Sequence, residues 1–449
     1  MNPYIAYVEK HRDLMFDAMD YIWNNPETGF KEWKAHAYLE KAFTALGYEL
    51  TKAGNIPGFT ALADTGREGP TVAVFGELDS VLCAAHPAAD PETGAVHACG
   101  HCAQAAALLG LAAALKEPGA LDGLCGKILL VAVPAEEFVE VGFREELKEK
   151  GIIHYFGGKM EFMYRGLLDG VDMALMVHTS SASGVTATFN GGSNGSIVKS
   201  ITFEGVSAHA GAAPHRGVNA LFAATLATNA VNSLRETFKD SAHIRFHSII
   251  TNGGDMLNAI PDCVRMESKV RGATMAEVAE VNRKINRAIA ASAAAIGAKV
   301  HLRDIPGYWP RKHPESFFPA LRQAMEQVVD NVKINPDAWG TGCSDMGNVG
   351  AVMPALHPYI SGAVGAAHGS DYVISAPETA CVKSAALQLV YLSISLGNNA
   401  AEAKRIIADY EPDFSSMADY FAFMDKLNLD IDAVSYEGRN SAVLNFGAK

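Results

Sequence analysis

Clusters of positive charge are missing from this chain of 449 residues: 37 Lys and Arg stand against 50 Asp and Glu, a formal net charge of −13. No Lys/Arg-rich run occurs anywhere. Nucleic acid and anionic membrane surfaces are thereby excluded as partners, because both are held by clustered positive charge. A small anionic substrate is not excluded, since one or two arginines inside a cleft act locally. Long apolar runs are also missing. No stretch approaches the roughly 18 consecutive apolar residues of a membrane-spanning helix, and the Ala/Leu-rich run after Gln104 reads as a buried helix. The first residues, "MNPYIAYVEKHRDLMFDAMDYIW", lack a basic segment followed by a continuous apolar one, so no signal peptide is expected. Seven scattered cysteines, an odd number, do not make a disulfide framework. A reducing cytoplasm is the expected compartment.

The chain exceeds the ~250–300 residues at which one core stops growing, so two domains are expected. In the first half "TVAVFGEL" (71–78), "KILLVAVPA" (127–135) and "VDMALMVH" (171–178) are short apolar runs of the kind buried in a mostly parallel sheet. Polar chemistry follows each run: Glu77 and Asp79, then Glu136 and Glu137, then His178. Open α/β sheets bind ligands beyond the carboxyl ends of their strands. From about residue 189 the rhythm changes to β-α-β-β-α-β, the ferredoxin-like split unit, with the α/β pattern resuming near residue 306. The expected fold is therefore an α/β catalytic domain (1–188 and 306–449, the latter with a C-terminal extension) and an inserted ferredoxin-like domain (189–305). The tail from about 405 suggests no role beyond packing or assembly.

"HACGHC" (97–102) supports three readings: a C-x-x-C thiol pair, half of a structural zinc site, or two ligands of a catalytic metal at Cys99 and His101. Adjacent residues of an extended chain point to opposite sides. If strand geometry persists that far, one carboxylate of Glu136-Glu137 ligates a metal while the other serves as base. His178 ends an apolar strand and His368 sits in the Gly/Ala-rich loop "GAAHGSD". Together these Cys, His and Glu residues, in the loops of one α/β sheet, favour a metal site.

The motifs resemble the zinc-dependent aminoacylase/carboxypeptidase family of metallopeptidases, in the branch of hippurate and indole-acetyl-amino-acid hydrolases. His97-Ala-Cys-Gly-His101 stands for its H-A-C-G-H motif, and "GELDS" for its D-M-D-A segment. "PAEEF", "VSAHAGAAPHRGVNAL" and "NGGDMLNAIPDCVRMESKVRG" follow in family order. "GCSDMGNVGAVMPALHPYISGA" is similar to the aminobenzoyl-glutamate utilisation B proteins and related dipeptidases. The resemblance implies metal ligands Cys99, His101, Glu137, His178 and His368, with Glu136 as general base and Asp79 orienting a ligand histidine. It implies that His209 stabilises the oxyanion, often across a dimer, and that Asn258 and Arg271 bind the substrate carboxylate. It implies one or two divalent ions, zinc first, with manganese, cobalt or nickel as alternatives, and a homodimer or larger homo-oligomer.

The chain departs from that pattern at Cys102 and Gln104, where relatives carry more polar or ligating residues. An aromatic-bearing insertion at 138–156 hints at a bulky or aromatic acyl group. The expected reaction is cleavage of the amide of an N-acyl amino acid or dipeptide. The alternatives are hydrolytic deamination of an aromatic amine at the same metal, a non-catalytic binding protein, and a thiol oxidoreductase using Cys99 and Cys102.

Overall fold

The computed structural model of this chain describes residues 2–182, 184–438 and 441–446. Two compact units emerge: Met1–Gly192 with Arg311–Trp339 and Ser344–Met417, and Ser193–Pro310 with Gly340–Cys343 and Ala418–Lys449.

The first unit is built on a six-stranded sheet in the order Leu50–Lys52, Phe59–Asp64, Lys127–Val133, Thr71–Glu77, Met173–Leu175, Ala355–Leu356. The last four strands run parallel, and the first two are antiparallel additions at one edge. Thr71–Glu77 lies in the middle and is buried along almost its whole length, which explains its unbroken apolar run. The helix His101–Ala114 is buried at every residue. Its small side chains let it lie close against that strand. A Cβ on Gly76 would meet the Leu108 Cβ at 2.9 Å, so the strand needs glycine there.

Two expected strands end early, and both endings shape the site. "KILLVAVPA" stops at Val133, because Pro134 has no N–H to continue the ladder. Ala135 then adopts a left-handed φ of 56°. Strand geometry therefore does not extend to Glu136 and Glu137; a turn, not the pleat, sets their directions. "VDMALMVH" divides into Met173–Leu175, in the central sheet, and His178–Ser180, which pairs in parallel with Tyr359–Ser361.

The second unit is an antiparallel sheet ordered Arg245–Asn252, Cys263–Gly272, Gly195–Glu204, Lys299–Pro306, Leu429–Asp432. The first four strands, with helices Ala220–Ser233 and Met275–Ile296, form the β-α-β-β-α-β arrangement. Both helices start on side-chain caps: Asn219 accepts from Phe222 N at 3.1 Å, and Thr274 accepts from Glu277 N at 3.2 Å. Under the second helix Lys199 is fully buried against Asp304 and Asn282, and Asp304 also accepts from Asn282 and Asn286. The fifth strand comes from the C-terminal tail, for which sequence patterning suggested only packing or assembly. His301 bridges Asp430 and Asp432 at 2.8 Å each, and Arg303 reaches Asp430 at 3.0 Å. Among the described residues one helix, Glu378–Asp409, is apolar and long enough to cross a membrane, but 78% of its apolar window is buried within the fold.

Candidate metal centre

Three neighbouring parallel strands, Thr71–Glu77, Lys127–Val133 and Met173–Leu175, deliver the polar residues to their carboxyl ends. A fourth contribution comes from the turn before helix His101–Ala114. Gly100 caps that helix with φ 94°, and a Cβ there would sit 2.6 Å from the Tyr372 hydroxyl. Only glycine makes this turn, which brings Cys99 and His101 to one place.

His101 is fully buried, and its Nδ1 lies 3.0 Å from both the Asp79 Oδ1 and the Asp79 carbonyl. Both are acceptors, so Nδ1 carries the proton and Nε2 faces the site. Asp79 Oδ2 also accepts from Glu137 N at 2.7 Å. One buried carboxylate thus ties the loops after two strands together. His178 Nδ1 donates to the Thr179 carbonyl at 2.7 Å, leaving Nε2 at 3.6 Å from Cys99 Sγ. His368, at φ 63°, is anchored by its own N–H to the Ala98 carbonyl, and its Nε2 meets Glu137 Oε1 at 2.8 Å.

The structure brings all five expected ligands together. Ligand atoms of Cys99, His101 and His178 lie within 4.8 Å of one another, as do those of Cys99, Glu137 and His368. Cys99 belongs to both groups. Thiolate, imidazole and carboxylate are the donors that zinc and its neighbours favour. Zinc–sulfur and zinc–nitrogen bonds of about 2.3 and 2.05 Å at a tetrahedral angle place the two donors about 3.5 Å apart. Cys99 and His178 stand at 3.6 Å, so the donor set fits a cation of this kind.

The charges fit as well. Burial alone would push the Cys99 thiol up, yet the His101 and His178 imidazoles bring it down to about 6. Burial would likewise raise Glu137, but His368 holds it well below the usual carboxylate range. The Glu137 carboxylate in turn lifts His368 to about 11. Imidazoles here gather protons in the place a divalent cation would take. Glu136 differs: burial first, then the charges of Glu137, Glu77 and Asp345, push its carboxyl well above the usual range.

Several side chains at the site were not singled out from sequence. Lys159 is fully buried and binds Glu77 at 2.5 Å and Asp345. A lone lysine in the mostly apolar stretch "GGKMEFM" was the available signal. Arg144, also fully buried, donates to the carbonyls of Val139, Phe156 and Glu137. The aromatic residues of the 138–156 insertion are engaged in packing. Phe138 lies against Arg144, Phe143 under Lys31, and Tyr155 and Phe156 are buried. Cys102 is buried with its thiol pushed up to about 12, which suits an inert core residue and not a redox partner of Cys99.

His209, Asn258 and Arg271 lie in the second unit. The chain around His209 pairs with Ala259, and Ala210 N donates to the Asn258 carbonyl at 2.9 Å. Arg271 stands on Cys263–Gly272 beside Ser196 and Arg245. The exposed His209 ring accepts at Nδ1 from Gly211 N and Ala212 N, at 3.1 and 3.0 Å. Its proton therefore sits on Nε2, offered as a donor.

A parallel α/β core with these donors at its strand ends, in a chain that also carries a ferredoxin-like unit, defines a candidate metal centre. Residues 71–389 match Peptidase family M20/M25/M40, and the chain belongs to that family. It is 32% identical over 273 residues to one of the p-aminobenzoyl-glutamate hydrolase subunits of Escherichia coli, covering 59% of this chain and 51% of that protein. The chain thus spans about half the length of that relative. It is 28% identical over 358 residues to a mouse (Mus musculus) Xaa-Arg dipeptidase, covering 75% and 74%. Its fold is shared with a Bacillus subtilis protein described as a dinuclear metal binding peptidase, at TM-score 0.61, 18% identity and coverage of 86% and 99%.

Proposed function

We propose that this chain is an amidohydrolase that cleaves the amide bond of an N-acyl amino acid or a dipeptide. The observation that carries the proposal is the pair of donor groups sharing Cys99, with the Glu136 carboxyl within 4.8 Å of His101 and Glu77. Divalent ions bound by Cys99, His101, His178, Glu137 and His368, zinc first among them, would supply Lewis acidity, polarising the scissile carbonyl and acidifying water. Glu136 then acts as base and acid. Its raised proton affinity suits removal of a proton from water as the C–O bond forms. The same proton passes to the leaving nitrogen as the C–N bond breaks. Asp79 keeps His101 in one tautomer throughout.

His209 Nε2–H is the donor we assign to the developing oxyanion, and Asn258 and Arg271 the partners of the substrate carboxylate. The guanidinium fork suits that anion. The relatives' names, a p-aminobenzoyl-glutamate hydrolase and an Xaa-Arg dipeptidase, support an amino acid as the leaving group. A homodimer is favoured by apolar side chains that the second unit leaves exposed, among them Phe222 (62%), Ile249 (50%) and Met256 (67%). Seven free cysteines suit a reducing cytoplasm.

The decisive experiment loads the protein with zinc or manganese and offers N-acyl amino acids and dipeptides. Release of free amino acid, abolished by chelation and restored by metal, is the expected result. Ammonia release without amino-acid release would replace amide cleavage by deamination, and no product from any substrate would overturn the assignment.

A further inference from the structure

Glu77 has no role in the ligand set above, yet it occupies an unusual position. Its carboxylate is fully buried. One oxygen, Oε1, is bound by the Lys159 ammonium at 2.5 Å, and Lys159 is held in turn by Asp345. The other oxygen, Oε2, is buried and has no hydrogen-bond partner. It faces His101 Nε2 at 3.2 Å, and that nitrogen also lacks a hydrogen-bond partner. His101 Nδ1 is committed to Asp79, which offers only acceptors, so a neutral His101 presents a bare lone pair at Nε2.

With His101 neutral, two lone pairs face each other at this distance and repel; a proton on Nε2 relieves this, and a metal ion within reach of both atoms takes the place of that proton. Two ligands each about 2.1 Å from one ion, at angles of 90–109°, stand about 3.0–3.4 Å apart. Glu77 Oε2 and His101 Nε2 are separated by such a ligand edge. We infer that Glu77 is a further carboxylate ligand of the metal centre, binding the ion held by His101, with Lys159 as the positioning residue that fixes its free oxygen. The second observation besides the acidic cluster is the pair of buried, unpartnered atoms aimed at one point. This deepens the metal-site reading and rests on it.

The centre would then differ from a five-ligand one in a definite way. The ion at His101 gains an anionic oxygen donor, which favours harder divalent ions such as manganese over a purely thiolate and imidazole set. Lys159 offsets the added negative charge from the side away from the ion.

The test is metal binding, read without substrate. Cobalt(II) is titrated into metal-free wild type, Glu77→Gln and Glu77→Asp, following both affinity and the visible ligand-field bands. Glu77→Asp keeps the charge opposite Lys159 but draws the oxygen back by one methylene, so it remains informative if Glu77→Gln fails to fold. The expected result is a loss of affinity of at least about tenfold and displaced bands in the folded variants. Bands that superimpose on wild type in a folded variant, whatever its affinity, would make Glu77 a prop for Lys159 and overturn the inference. Because no substrate is present, failure of the amidohydrolase assignment leaves this result standing. Superimposed bands, conversely, leave the hydrolysis assay untouched.

Discussion

Arg144 holds Glu137 by its main chain: the buried guanidinium donates to the Glu137 carbonyl while the Glu137 carboxylate faces His368. The same guanidinium satisfies Val139 and Phe156 carbonyls, so the segment after Glu137 is fastened back onto it. Arg144→Met leaves three carbonyls without this donor. Each buried unsatisfied group costs about 1–3 kcal/mol, and we expect a loss of at least about 3 kcal/mol in urea unfolding. Metal content after dialysis should fall with it, since Glu137, a ligand in the proposed centre, has lost its anchor.

Glu136→Gln separates chemistry from binding. Removing a positioned acid–base group typically costs about 10²–10⁴-fold in rate, and that loss is expected in kcat with metal content unchanged. Thermal stability should hold or rise, because a neutral side chain relieves repulsion from Glu137, Glu77 and Asp345. A variant that lost metal as well would reassign Glu136 as a ligand.

Metal removal should destabilise the first unit. The apo centre crowds the carboxylates of Glu77, Asp79, Glu136 and Glu137 together, held apart only by the Lys159 ammonium and by protons on the neighbouring imidazoles. An ion at about 1,000 times its Kd adds about 4 kcal/mol to stability. Differential scanning calorimetry with and without chelator should show a lower Tm for the apo protein, recovered on adding zinc.

In the second unit, Lys199→Met removes the cation that faces buried Asp304. Breaking a buried pair on one side costs about 3–5 kcal/mol. The double variant Lys199→Met/Asp304→Leu should recover part of this in chemical denaturation, because no unpaired charge then remains.

Truncation before Leu429 uncovers the edge of strand Lys299–Pro306 and strips Asp430 and Asp432 from His301. An open strand edge is a template for further pairing. The truncated protein should form larger species than the full chain in size-exclusion chromatography with light scattering.

Much was legible in the sequence because it rests on local pattern. Unbroken apolar runs announced the buried parallel strands, and the β-α-β-β-α-β order of the second unit follows from its alternating periodicities. Cys99, His101, Glu137, His178 and His368 were legible as candidates because the chemistry of metal binding selects their residue types and the motif order selects their positions. Lys159 and Arg144 were not singled out, and Glu77 was noted only as a polar residue at a strand end. Their importance comes from which charges and carbonyls they meet across 82, 186 and 7 residues of chain, and burial decides whether a charged side chain is an ordinary surface group or a structural one.

The sequence by itself determined the α/β core and the ferredoxin-like unit, since hydrophobic periodicity is written in residue types, and the family resemblance of its motifs supplied the candidate donor residues. Only the tertiary structure decided how the donors share Cys99 and that a turn at Ala135 aims Glu136 and Glu137. It alone showed that the tail completes a sheet and that Glu77 faces His101 with an unpartnered oxygen. Such relations depend on distances between atoms far apart in the chain, and a buried carboxylate differs from a solvated one only in what surrounds it.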